Sequence, residues 1–123
     1  MKKAVLLVGH GSRRAEANEA LVYLADLLKK KRPETEMSYG YLQFAQPDLP
    51  AALEALDKKG IEEVAVVPVF LYEGIHIRED IPEVLAEEQK KRPHMRLVQA
   101  PVLGIDERMA DIVLDRVDQG LRG

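Results

Sequence analysis

Val64-Ala65-Val66-Val67-Pro68-Val69-Phe70-Leu71 carries the strongest strand signal in the sequence. An apolar run without alternation suits a strand covered on both faces, as in a parallel sheet. Pro68 has no N–H for a ladder. The hydrogen-bonded part is therefore expected to end near Val67, with Pro68 to Tyr72 emerging at the strand's carboxyl end. Ala4 to Val8 repeats the pattern on a shorter scale and is stopped by Gly9.

Helical spacing fills the intervals. Glu16 to Lys31 sets Leu21, Leu24, Leu27 and Leu28 on one side of a helix that ends before Pro33. Glu36 to Leu42 reads as a less apolar strand near an edge, with Met37, Tyr39 and Tyr41 on one face. Asp48 and Pro50 open a helix striped by Leu49, Leu53 and Leu56 and closed by Gly60. A loop holding Gly74 and His76 leads to Asp80-Ile81-Pro82. There Asp80 is read as the cap of a third helix that buries Ile81, Val84 and Leu85. Arg96 to Ala100 makes a fourth strand, and Asp106 to Val117 a last helix using Met109, Ile112, Val113 and Val117. Four strand–helix repeats with right-handed crossovers predict one α/β domain over residues 1–123. Its architecture is an open four-stranded parallel sheet with helices on both faces.

Composition narrows the functions. The 123 residues are 46% hydrophobic and 32% charged with a net charge of -3, which supports a core but not a nucleic-acid surface held by bulk positive charge. No Trp and two Phe argue the same way against base stacking. With no Cys, any metal handled here meets His, carboxylate or the nitrogens of a ligand. The amino-terminal apolar run is too short for a signal peptide and no run is long enough for a membrane span, so a cytoplasmic protein is expected.

In an open parallel sheet, ligands bind at the carboxyl ends of the strands. His10 follows the first strand and His76 the third, whereas His94 precedes the fourth and belongs to the opposite edge. Gly9-His10-Gly11-Ser12 has two readings. The glycines turn the chain and Ser12 caps a helix, or the glycines bring backbone close to a bulky ligand beneath an exposed imidazole. His76 stands among Glu73, Arg78, Glu79 and Asp80, with Phe70, Leu71, Ile75 and Ile77 supplying apolar surface. A mostly apolar wall with a few polar groups is the usual form of a small-molecule site. Arg13, Arg14 and Arg78 suit carboxylate recognition or are plain solvated charge.

Val8-Gly9-His10-Gly11-Ser12-Arg13, taken with Pro68-x-Phe70-Leu71-x-x-Gly74-x-His76-x-x-x-Asp80-Ile81-Pro82, resembles the class II sirohydrochlorin chelatases, in their short single-domain form. The resemblance implies a chelatase-like, flavodoxin-like three-layer sandwich. It implies insertion of Co2+ or Fe2+ into sirohydrochlorin on the route to cobalamin or sirohaem, with no permanently bound cofactor. A homodimer is also implied. The family's two site histidines fall on His10 and His76. Where family members frequently carry an acidic residue, this sequence has Gln43, in Tyr41-Leu42-Gln43.

On that reading His10 and His76 hold the metal and accept pyrrole protons, with Glu73 a secondary oxygen ligand or proton relay. Arg13 and Arg78, with the backbone N–H groups of Gly11 and Ser12, face the substrate carboxylates. Phe70, Leu71 and Tyr72 cover the ring. A carrier without turnover, and a nickel chelatase acting on a related tetrapyrrole, are the alternatives.

Overall fold

A computed structural model describes residues 2–123, the side chains of His76 and Ile77 excepted. In chain order the elements are β1 (Lys3–Gly9), α1 (Ala15–Lys31), β2 (Glu36–Tyr41), α2 (Leu49–Lys58), β3 (Glu63–Pro68), a π-helical turn (His76–Asp80), α3 (Ile81–Lys91), β4 (Arg96–Gln99) and α4 (Glu107–Arg122). The strands form one parallel sheet in the order β2-β1-β3-β4. The two most apolar strands are thus central and adjacent, and Tyr-containing β2 is an edge, as its composition predicts.

Alternate residues of the strands supply two cores. Leu6, Val8, Val64 and Val66 pack against Leu49, Leu53 and Leu56 of α2 and Ile81 and Leu85 of α3. Each such side chain, fully buried, contributes on the order of 1.5–3 kcal/mol. The opposite face is smaller: Leu7 and Tyr41 pack with Leu21 and Ala25 of α1. Asp48 caps α2 as predicted, its Oδ1 accepting from the N–H of Ala51 at 2.9 Å.

Pairing of β3 runs one residue past the expected end. Pro68 is in register with Val8, and the Val69 N–H donates to the Val8 carbonyl at 2.9 Å. The reason lies in strand parity. The Val66 carbonyl accepts from Ala100 on the β4 side. Pro68 shares that orientation, so its missing donor points beyond the last residue of β4 and costs no ladder bond.

Two further expectations are corrected. Asp80 does not cap α3: its backbone is already helical, with φ -67° and ψ -48°, and its side chain makes no capping bond. The π-helical turn feeds directly into α3, so no helix start exists there to be capped. Nor does α4 bury Met109, Ile112, Val113 and Val117; none of its residues is buried.

Crossover handedness explains that second outcome. The chain steps from β1 to β2 in one direction and from β2 to β3 to β4 in the other. Right-handed connections therefore put α1 on one face and α2 and α3 on the other. No crossover remains to bring α4 onto the sheet. The reversal between β1 and β3 is also the switch point, where loops diverge and leave a crevice.

The opposite, amino-terminal edge is closed by a polar network. His94 Nε2 lies 2.7 Å from Asp57 Oδ1, Arg92 donates to Asp57 Oδ2 at 2.8 Å, and Arg92 also faces buried Glu88 at 3.5 Å. His94 thus ties α2 to the α3–β4 turn, away from the crevice.

Candidate functional site

β1 delivers Gly9 and His10 to the carboxyl edge of the sheet, and the next turn is pinned against the segment after β2. The Leu42 N–H donates to the Gly9 carbonyl at 3.0 Å and the Gln43 N–H to the His10 carbonyl at 3.1 Å. Gly11, at φ +89°, makes this approach possible: a Cβ on it would lie 1.7 Å from the Gln43 carbonyl oxygen. Gly11 thus lets one backbone segment approach another, a use that neither sequence reading of the glycines named.

The other side of the turn is held by Asn18, which sequence reasoning missed. Its Oδ1 accepts from the Ser12 N–H at 2.8 Å and its Nδ2 donates to the Ser12 carbonyl at 2.8 Å. The Tyr41 hydroxyl then donates to the Asn18 carbonyl at 2.8 Å. Burial pushes the Tyr41 phenol up from its ordinary pKa, keeping it a neutral donor. Two sequence readings of Ser12 fall here. Its N–H is already satisfied, so it is not a spare donor for a ligand. Nor does it cap α1, whose cap position is Arg14 and has no side-chain cap bond; the Ser12 hydroxyl accepts from the Arg14 N–H instead. An Asn in the first turn of a helix, a poor helix former that bonds readily to nearby backbone, was the available signal.

The His10 ring is exposed and meets the half-buried Phe70 ring edge-on, centroids 4.7 Å apart and planes at 80°. This contact joins the loop after β1 to the end of β3. His10 borders two openings. One, about 400 Å³, lies over α1 and includes Gly11, Asn18, Leu21, Tyr41 and Val69. The other, about 290 Å³, lies toward α3 and is lined by Leu42, Gln43, Asp80, Glu83 and Val84. Gln43 and Asp80 therefore share a wall with His10, and Glu83 adds a carboxylate that sequence reading did not single out.

None of the remaining candidates, Arg13, Leu71, Tyr72, Glu73 and Arg78, is among the residues lining these two openings. Arg13 stacks its guanidinium over the Phe44 ring, 4.5 Å from the centroid, and Phe44 adopts a left-handed φ of +61°. Leu71 and Tyr72 are exposed beyond β3. Glu73 and Arg78 pair with each other at 3.8 Å, both exposed. The π-helical turn begins at residue 76, after β3 and at the same sheet edge as residue 10. The side chain of His76 lies outside the described residues, and so does its predicted meeting with His10. Among the described residues no group of three or more His, Asp or Glu side chains is arranged to hold a metal by itself.

The CbiX family model matches residues 4–120. The chain belongs to the CbiX family. Among the family's relatives of this chain, a sirohydrochlorin cobaltochelatase from Methanosarcina barkeri is 32% identical over 127 residues, 98% of each chain. A sirohydrochlorin ferrochelatase from Priestia megaterium is 30% identical across 94% of this chain, which spans 44% of that protein. The sirohydrochlorin chelatase SirB from Bacillus subtilis subspecies spizizenii, solved in complex with cobalt, superposes with a TM-score of 0.90 at 31% identity. That match covers 97% of this CbiX-family chain and 51% of SirB. Some relatives are thus matched end to end, and others are about twice as long.

Proposed function

We propose that the protein inserts a divalent metal, Co2+ or Fe2+, into sirohydrochlorin in cobalamin or sirohaem biosynthesis. The observation that carries this reading is the placement of residues 10 and 76 after adjacent parallel strands, at the switch-point crevice of a CbiX-family fold. The metal is a substrate, and no cofactor is held permanently.

Insertion removes two pyrrole N–H protons as the metal exchanges water for ring nitrogens. Neutral imidazole binds divalent first-row metals and, once vacated, accepts a proton. His10 and His76 share those two tasks. Glu73, or Asp80 on the wall beside His10, relays a proton outward. Arg13 and Arg78 meet substrate carboxylates, while Phe70, Leu71 and Tyr72 form an apolar cover with Gly11 beneath. Gln43 presents a neutral amide, leaving the carboxylates of this wall to Asp80 and Glu83. Two copies act as a homodimer. No described helix is long and apolar enough to cross a membrane, and the enzyme works in the cytoplasm.

The test is a spectroscopic insertion assay with sirohydrochlorin and Co2+, Fe2+ or Ni2+. Many turnovers per protein are expected with Co2+ or Fe2+, and His10→Ala and His76→Ala each reduce the rate by at least about 100-fold, the lower end of the range for general acid–base groups. A single stoichiometric colour change would mark a carrier instead. Unchanged rates in the doubly substituted protein would remove the histidines from the reaction.

A further inference from the structure

His10 stands between two openings of different chemistry. The one over α1, about 400 Å³, has no carboxylate, Lys or Arg on its wall among the described residues. Ala17, Ala20, Leu21, Leu24 and Val69 give it a largely apolar surface. The one toward α3, about 290 Å³, gathers the carboxylates of Asp80 and Glu83 and the amide of Gln43 beside the same imidazole, and no described Lys or Arg lines it.

The proposed reaction has two reactants of opposite charge. Sirohydrochlorin is an apolar ring with a rim of carboxylates, and the metal arrives as a hydrated dication. A wall with two carboxylates attracts the dication and repels the rim. Size sorts the reactants the same way. Six waters at about 30 Å³ each occupy roughly 180 Å³, which the α3-side opening can hold. That opening falls just short of the range of about 300–1,000 Å³ usual for organic ligands, whereas the α1-side opening lies within it. Ser12, Asn18 and Tyr41 on the α1-side wall also border a neighbouring hollow of about 370 Å³ that contains Arg13, Phe44 and Glu19. A guanidinium for the rim therefore stands on the α1 side.

Glu83 has no structural duty that explains its charge. Among the described residues no hydrogen bond or ion pair engages its carboxylate. Helix polarity does not account for it either. The π-helical turn His76–Asp80 runs straight into α3, so Glu83 stands about two turns inside a continuous helix and not at a start.

We infer that the two reactants reach His10 through separate openings. The macrocycle comes from the α1 side, and the metal comes from the α3 side past Glu83, whose carboxylate holds the hydrated ion at the entrance. An imidazole has two distinct ring nitrogens, so one ring bordering both openings can serve both reactants. Charge balances along the α3-side route: one dication passes inward and two pyrrole protons leave by way of Asp80.

This inference rests on the metal-insertion reading, and equilibrium binding lets the two fail separately. Each reactant is titrated alone, Co2+ by calorimetry and metal-free sirohydrochlorin by its absorbance. Glu83→Gln is expected to raise the Kd for Co2+ about two- to fivefold, the scale of an exposed charge pair, and to leave that for sirohydrochlorin unchanged. Glu83→Asp, which keeps the charge, should restore most of the Co2+ affinity. Ala20→Glu puts a carboxylate on the α1-side wall at an exposed helix position. It is expected to raise the Kd for sirohydrochlorin by a similar factor and not that for Co2+, with Ala20→Gln, the control for bulk, having the smaller effect. Urea midpoints verify that each variant is folded. An unchanged Co2+ Kd in Glu83→Gln, or a Kd for either reactant that rises equally in Glu83→Gln and Ala20→Glu, overturns the inference. The expected pattern without turnover in the insertion assay upholds the separate openings and overturns the enzymatic reading instead.

Discussion

The carbonyl oxygen of Gln43 occupies the space beside Gly11 so closely that residue 11 has no room for a side chain. A Cβ there would sit 1.7 Å away, and φ is +89°. Gly11→Ala must therefore push the loop after β1 off the segment after β2 and break the bond from Gln43 to the His10 carbonyl. We predict a stability loss of at least about 2 kcal/mol, the scale of strain plus a lost buried contact, and a fall in insertion rate as His10 moves. Urea denaturation and the insertion assay read the two effects. Gly74→Ala is the control: no described atom lies within 4 Å of its added Cβ, and it is expected to change stability by less than about 0.5 kcal/mol.

Asn18 holds the other flank of the same turn through both Ser12 backbone groups. Removing the amide leaves a donor and an acceptor half-buried without their partner. Asn18→Ala is predicted to cost about 1–3 kcal/mol and to slow insertion. Tyr41→Phe, which removes only the bond to the Asn18 carbonyl, should cost less, about 1 kcal/mol. Equal losses in thermal melts of the two variants would show that Asn18 does not organise the loop.

How much of this was legible beforehand follows from what kind of information each feature carries. The strands and helix stripes were readable because burial repeats along the chain: Leu49, Leu53 and Leu56 announce their own face. Which strands are neighbours was not, because pairing is set by tertiary approach. The cap at Asp48 is local and was read correctly. Asp80 carries the same local signal, yet the preceding residues continue the helix backward, and nothing in Asp-Ile-Pro reports that. The Asn18–Ser12 clasp and the Arg13–Phe44 stack bring together residues by tertiary approach, which periodicity does not encode. The stripe of α4 was seen, but amphipathicity does not say what a helix packs against, and none of the residues of α4 is buried.

Asp57 links stability to pH. The contact with His94, followed by the bond from Arg92, holds its carboxyl below the ordinary aspartate range. A depressed folded pKa means that stabilisation is complete above the unfolded value, about pH 4, and is lost as pH falls through the lower folded value. Asp57→Asn should therefore lower the melting temperature at neutral pH, with the gap to the unaltered protein closing below about pH 4. Since this network lies at the amino-terminal edge, the insertion rate measured well below the melting temperature should be unchanged. A gap that widens on acidification would contradict the sign.

Arg13 is aimed by Phe44, and the two contributions can be separated. The guanidinium sits 4.5 Å from the ring centroid, while Phe44 itself holds a φ of +61° that glycine adopts without strain. Phe44→Gly keeps the turn and removes the ring. An exposed cation–π contact is worth about 0.5–1 kcal/mol, so the KM for sirohydrochlorin is expected to rise about two- to fivefold with kcat unchanged. If Arg13 meets a substrate carboxylate as proposed, Arg13→Ala removes a charged bond of about 1.5–3 kcal/mol and should raise KM at least about tenfold. Arg13→Lys should fall between them, because an ammonium keeps the charge but not the planar, forked geometry. If Phe44→Gly lowers kcat and leaves KM alone, the ring acts on the reacting centre and not through Arg13.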